Sequence, residues 1–196
     1  MTALLDLFLP PHARAERARA VTDFDIGELV NPVTLKGANW VHALLPYRDE
    51  RVRALIHAIK YYGERGLVAK IAPHAADYLL EILEDKTTLH GWESEGIVPI
   101  PSSPKRLRKR GYNQTSLIAE PIATRLGLVY EPDLLAREDR ESQVHVPRAK
   151  RSENIKGAFR VKDPEAAEGR FIILIDDVTE SGATLRDARR ALLAAG

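Results

Sequence analysis

The sequence predicts an α/β protein: a parallel sheet flanked by helices, with a small N-terminal helical appendage. Two short apolar runs bounded by turn residues, Gly-Ile-Val-Pro-Ile-Pro at 96–101 and Phe-Ile-Ile-Leu-Ile at 171–175, have the length and composition of strands buried on both faces. Segments with helical spacing lie before, between and after them. Strands alternating with helices build a layered fold with parallel connections.

In chain order, residues 1–40 are punctuated by proline and charge and read as a short helix plus loops. The apolar stretch 3–9 is interrupted by Asp6 and followed by Pro10 and Pro11. It lacks a basic leader and is too short for a signal segment or a membrane span, so a cytoplasmic protein is expected, without a membrane partner. Val52, Leu55, Ile56 and Ile59 then recur at helical spacing, with Gly63 and Gly66 ending that helix. A second amphipathic helix spans residues 67–83, carrying Leu67, Ile71, Ala75, Tyr78, Leu79 and Ile82. After the strand at 96–101 comes a basic stretch at 105–110, in which five of six residues are Lys or Arg. Leu117, Ile118, Ile122 and Leu126 predict a helix over 113–126, although Pro121 inside it removes a hydrogen bond and should kink it. Residues 128–135 read as a strand. Residues 136–156, polar and densely charged around Pro147, read as a loop or hairpin. The strand at 171–175 and an amphipathic helix over 185–195 close the sequence.

A chain of 196 residues can bury a real core without a disulfide or metal staple. Its 44% apolar and 29% charged residues are ordinary for a globular protein, and a net charge of +1 gives no overall pull toward nucleic acid or membrane. The absence of cysteine removes disulfides, thiolate zinc sites and cysteine nucleophiles together. Neither a P-loop nor a dinucleotide-binding glycine pattern is present, nor a nucleophile elbow, nor a His-Glu-x-x-His helix.

The chemistry concentrates in residues 172–184. A buried strand delivers Asp176 and Asp177 at its C-terminal tip. The loop Thr179, Glu180, Ser181, Gly182, Ala183 and Thr184 then opens a helix. Ligands of open α/β sheets bind at such strand ends, and hydroxyls with amide groups at a helix N-terminus make an anion site. Two carboxylates cannot face that anion directly. Sugar hydroxyls, or a Mg²⁺ ion with its water shell, suit them instead. Phosphoribosyl pyrophosphate combines a phosphate, a ribose diol and a metal-bound pyrophosphate.

Residues 172–184 resemble the phosphoribosyl pyrophosphate motif of the type I phosphoribosyltransferases. Ile-His-Ala-Ile-Lys-Tyr at 56–61, Val-Pro-Ile-Pro at 98–101, Arg-Gly-Tyr-Asn-Gln at 110–114, and Gln143, Arg151, Asn154 with Gly157-Ala158-Phe159 are similar, in that order, to blocks of the ComF/GntX family. The resemblance covers roughly residues 45–196 and implies a phosphoribosyltransferase-like domain at 46–196 behind an appendage at 1–45. It implies that Asp176 and Asp177 hold ribose hydroxyls and that residues 179–184 wrap the 5′-phosphate. The pyrophosphate would meet the loop of Pro101, Ser102 and Ser103, with Arg110. Gln143, Arg148 and Arg151 would belong to a flexible loop that closes over the ligand. Mg²⁺ would arrive on the ligand, with no direct protein ligand. The activity implied is transfer of phosphoribose to a nitrogenous acceptor that the sequence does not name.

Three departures qualify the match. The family's four zinc-binding cysteines are missing, so no structural zinc is expected. Glu180 stands where a small residue or Thr is usual. The sequence stops at Gly196, where the family continues with at least one further strand, so the sheet is expected to lack its C-terminal part.

Plainer readings stand beside these. Asp176 and Asp177 could be a strand end plus a helix cap, and Asn113 a simple helix N-cap. Lys60 and Tyr61 could merely pack on the core. The stretch at 105–110 could be a solvated charge run, and without interleaved aromatics it is no stacking platform. The rival to the enzyme is a non-catalytic competence protein of DNA uptake, binding nucleotide, single-stranded DNA or a partner ATPase.

Overall fold

The computed structural model describes residues 11–90, 95–138 and 157–196. At its centre three strands run parallel, β3 (Glu95–Pro99) between β4 (Val129–Tyr130) and β7 (Phe171–Ile175). β3 and β7 pair along five positions from Glu95↔Phe171 to Pro99↔Ile175. Because side chains alternate across a strand, the sheet separates two apolar clusters. Ile97, Ile173 and Ile175 join the helices α3 (Glu50–Tyr62), α4 (Arg65–His90) and α6 (Gln114–Leu126). Val98, Ile172 and Leu174 face α7 (Ala183–Leu193) and the hairpin of β5 (Leu135–Arg137) with β6 (Phe159–Val161). Ile97 and Val98 are completely buried, and each such side chain contributes roughly 1.5–3 kcal/mol by leaving water. The expected α/β architecture with a parallel sheet is therefore present.

The N-terminal part is more ordered than its irregular sequence suggested. It forms two helices, α1 (Pro11–Ala20) and α2 (Asp23–Leu29), then an antiparallel hairpin, β1 (Val33–Leu35) and β2 (Ala38–Ala43). α2 begins with a reciprocal cap: Thr22 Oγ1 accepts the Asp25 N–H at 3.1 Å, and the Asp25 carboxylate accepts the Thr22 N–H at 2.8 Å. Ala18, Val21 and Ile26 enter the first cluster, and Ala38 and Val41 the second.

Several expected boundaries move. Gly63, in the left-handed region, ends α3. Gly66 instead sits in the first turn of α4, where amide groups have no partner in their own helix and a missing side chain costs little. Pro121 stays inside a continuous α6, because Leu117, Ile118, Ile122 and Ala123 are all buried on its core face. The strand expected at 128–135 divides at Pro132, which cannot donate to a ladder: β4 joins the parallel sheet and β5 pairs with β6. The basic stretch is a short helix, α5 (Pro104–Arg110). Among the described residues, no helix is long and apolar enough to cross a membrane.

Candidate functional site

Parallel pairing brings the tips of β3 and β7 to one edge. Pro99 is in register with Ile175, and the Ile100 N–H donates to the Ile175 carbonyl at 2.8 Å. The loop after β3 (residues 100–103) and the loop after β7 (residues 176–182) are thus neighbours by topology, although the sequence separates them widely.

Asp176 and Asp177 follow β7 directly. Asp176 Oδ1 accepts the Asp177 N–H at 2.9 Å, and Asp177 Oδ1 accepts the Val178 N–H at 3.0 Å. Burial, reinforced by the adjacent Asp177 charge, pushes the Asp176 carboxyl up to about 7. Asp176 therefore stands near balance between acid and carboxylate at neutral pH, able to donate or accept. On Asp177 the second oxygen meets Lys60 Nζ at 3.5 Å and accepts from Gln114 Nε2 at 3.3 Å.

Gln114 is the hub of this arrangement. Buried in the first turn of α6, it also accepts through Oε1 from Arg110 at 2.7 Å and from the Ser102 hydroxyl at 3.0 Å. Asn113 does not cap α6 with its side chain. Its amide nitrogen donates to the Ile100 carbonyl and to Ser116, and its oxygen accepts from Thr115 and Ser102. The Tyr112 hydroxyl donates to the Ile59 and Lys60 carbonyls at the end of α3, at 3.2 and 3.1 Å. A Cβ at Gly63 would approach the Tyr112 ring to 3.3 Å. One segment, residues 110–115, thereby joins the β3 loop, the β7 loop and the end of α3. Asn113 does hold the N-cap position of α6, with its side chain turned to these other partners, and Lys60 makes an ion pair besides any packing.

The β7 loop closes on itself. Thr179 Oγ1 accepts the Gly182 N–H at 3.1 Å, and Ser181 Oγ accepts the Ala183 N–H at 3.4 Å. Arg186, one turn into α7, donates to the Ser181 carbonyl at 2.6 Å. Gly182 has φ 71°, the left-handed region that favours glycine, and a Cβ there would push the end of the Leu35 side chain in β1 aside. Glu180 is exposed, and Thr184 half-buried, in the first turn of α7.

An apolar groove of about 610 Å³ borders the site, lined by β2, α4, α7 and β7 and reaching Asp176, Asp177 and Thr179 at one end. Asp176, Asp177 and Thr179 add polar chemistry there, and His42, Tyr78, Arg170 and Arg189 also line the groove. Among the described residues no group of three His, Asp or Glu side chains could hold a metal ion. The donor set fits Mg²⁺ only if the metal arrives with most of its oxygens supplied by the ligand.

Searches for a matching family model and for a matching solved structure find neither. Curated relatives do match. The DNA utilization protein YhgH of Escherichia coli is 29% identical over 143 residues, covering 72% of this chain and 61% of its own. The Salmonella typhimurium protein of the same name is 28% identical over the same shares. The competence protein ComFC of Bacillus subtilis is 38% identical over 148 residues, covering 76% of this chain and 56% of its own. The chain belongs to the ComF family. It spans between 56% and 61% of the length of these relatives.

In this ComF-family chain the fold gathers Asp176, Asp177, Ser102 and Arg110 into one network and sets the loop 179–184 beside it. Pro101 and Ser103 flank Ser102 in the β3 loop. Gln143, Arg148 and Arg151 lie outside the described residues. Lys60 and Gln114 both lie within ComF-like blocks, where the sequence allows a functional role as well as packing or capping, but only the fold shows their contact with Asp177. Asp187 gave no signal of its own. Buried in α7, it accepts the Gly157 N–H at 2.6 Å, the Ala158 N–H at 2.7 Å and the Phe159 N–H at 3.3 Å. Its place one turn into the helix after the loop was the available clue.

Proposed function

We propose that this ComF-family chain binds phosphoribosyl pyrophosphate with Mg²⁺ through a type I phosphoribosyltransferase-like fold and works in DNA uptake or use. The supporting observation is the network that ties Asp177 through Gln114 to Ser102 and Arg110, which brings diol-binding carboxylates within one side chain of anion-binding donors. In this reading Asp176 and Asp177 accept the ribose hydroxyls. Thr179, Ser181 and the amides at the start of α7 receive the 5′-phosphate, with the helix dipole favouring its charge. Ser102 and Arg110 offer donors to the pyrophosphate. Mg²⁺, when bound, would neutralise charge on that pyrophosphate as it departs. The protein would contribute positioning and electrostatics, letting a nitrogen nucleophile displace pyrophosphate from the ribose carbon. Calorimetric titration of phosphoribosyl pyrophosphate with and without Mg²⁺ tests this. Metal-dependent binding by the wild type that disappears in Asp176→Asn/Asp177→Asn is expected, and absence of binding by the folded wild type would end the enzyme reading.

A second reading has its own observation. Tyr61 and Tyr62 are 55% and 43% exposed at the end of α3, and the Arg110 guanidinium lies 5.2 Å from the Tyr61 ring centre. Aromatics absent from the basic stretch in sequence are supplied beside it by the fold. Exposed rings, one of them under the last cation of a basic helix, suit single-stranded nucleic acid, in keeping with relatives named for DNA utilization and competence.

A further inference from the structure

Two adjacent carboxylates at a strand tip pose a problem for a site whose metal should arrive on its ligand. Left alone, they would attract free divalent cations, and a metal seated there would occupy the acceptors meant for sugar hydroxyls. Lys60 addresses this. Its ammonium lies 3.5 Å from Asp177 Oδ2, and among the described residues it is the one cation within ion-pair distance of Asp177. Its position is not incidental to a floppy side chain. The last turn of α3 is pinned by the Tyr112 hydroxyl, which donates to the Lys60 carbonyl. Gln114 donates to the same Asp177 oxygen, while the other oxygen takes the Val178 N–H. Lys60 and Gln114 come from two helices that share no chain neighbourhood with β7, and both converge on one carboxylate.

We propose that Lys60 is an internal counter-cation that keeps free divalent metal off the Asp176–Asp177 pair, so that metal enters the site only as part of a phosphate-bearing ligand. The nature of that ligand rests on the phosphoribosyl pyrophosphate reading above. The exclusion of free metal does not, and can be tested without the ligand. A monovalent ammonium in contact with the carboxylate competes electrostatically with a dication for the same oxygens, at a separation where charge interactions are strong. Removing it should expose the pair.

The experiment measures Mn²⁺ binding by the full chain, from the electron paramagnetic resonance signal of the free ion, at about pH 8.5, where Asp176 is ionised. Wild type and Lys60→Arg should bind Mn²⁺ alone weakly and alike. Lys60→Gln and Lys60→Met should bind at least about tenfold more tightly, and adding Asp177→Asn to Lys60→Gln should abolish the gain. Lys60 is partly exposed on a helix, so these replacements preserve the fold, which circular dichroism verifies. Wild-type Mn²⁺ affinity in both Lys60→Gln and Lys60→Met would overturn the proposal, as would a gain that survives Asp177→Asn. Titrating phosphoribosyl pyrophosphate into the wild type separately keeps the two ideas apart, since a failure there leaves the Mn²⁺ comparison intact.

Discussion

Asp176 illustrates how a candidate site residue can oppose stability. Its carboxyl is pushed up to about 7 by burial and by Asp177, while an unfolded chain ionises it near the ordinary aspartate value of about 3.9. Between these limits the folded state holds more protons than the unfolded state, so this group's contribution falls as pH rises from about 4 to about 7 and is constant above. Asp176→Asn keeps an oxygen to accept the Asp177 N–H yet never ionises. The variant should therefore be more stable than wild type at pH 8, by at most about 4 kcal/mol, with the gap closing toward pH 4. Urea titrations across that range measure it. A variant that gains stability there while losing ligand would mark a residue retained for binding rather than folding. The sequence displayed Asp176, Asp177, Thr179 and Gly182 openly, because strand, carboxylates and loop are contiguous. Lys60 and Gln114 were not legible in the same way: Gln114 and Asp177 stand 63 positions apart, and no local pattern records that one bonds the other.

Between elements, one polar joint outside the site is Asp187, which ties α7 to the start of β6. Burial alone would raise its carboxyl, but the Gly157 amide, the Arg190 guanidinium and the Ala158 amide outweigh burial and hold it below the usual carboxylate range. The joint is therefore fully present above about pH 4 and is lost as acid protonates the folded carboxylate. Asp187→Asn should cost about 2–4 kcal/mol at pH 7, because an amide NH₂ would face backbone N–H donors. Its denaturation midpoint should drop and grow less sensitive to acid than that of the wild type. Elements with strong internal periodicity, such as α3, α6 and β7, were readable from sequence. β1 and β2 were not, since β1 is mostly exposed and carries no alternation. α6 runs through Pro121 as its apolar period predicted: it is held by burial on both sides, and tertiary packing overrides one lost hydrogen bond.

At the scale of the whole molecule, the sheet separates two apolar clusters, and the polar network emerges where the strands end. The same organisation brings the end of α3 and the end of α5 together on the surface, setting Arg110 over the Tyr61 ring, with Tyr62 exposed next to it in the chain. Binding of single-stranded DNA there should weaken steeply with salt. Changing Lys105, Arg106, Arg108 and Lys109 to Gln should reduce the slope of log affinity against log salt by about 3 if each cation meets one phosphate. Tyr61→Ala/Tyr62→Ala should cost about 1–3 kcal/mol per stacked base, and Asp176→Asn should leave binding unchanged. Fluorescence anisotropy of a labelled oligonucleotide at several salt concentrations decides it.

β7 carries one more consequence. Among the described residues it bonds to a neighbouring strand on one side alone, and its residues are partly uncovered where they line the apolar groove with Leu79, Ile82 and Leu192. An open strand border beside a greasy trough is a template for other strands. Crowding such molecules together invites them to stick border to border. The purified chain is thus best kept dilute, and turbidity on concentration would trace to this rim rather than to unfolding.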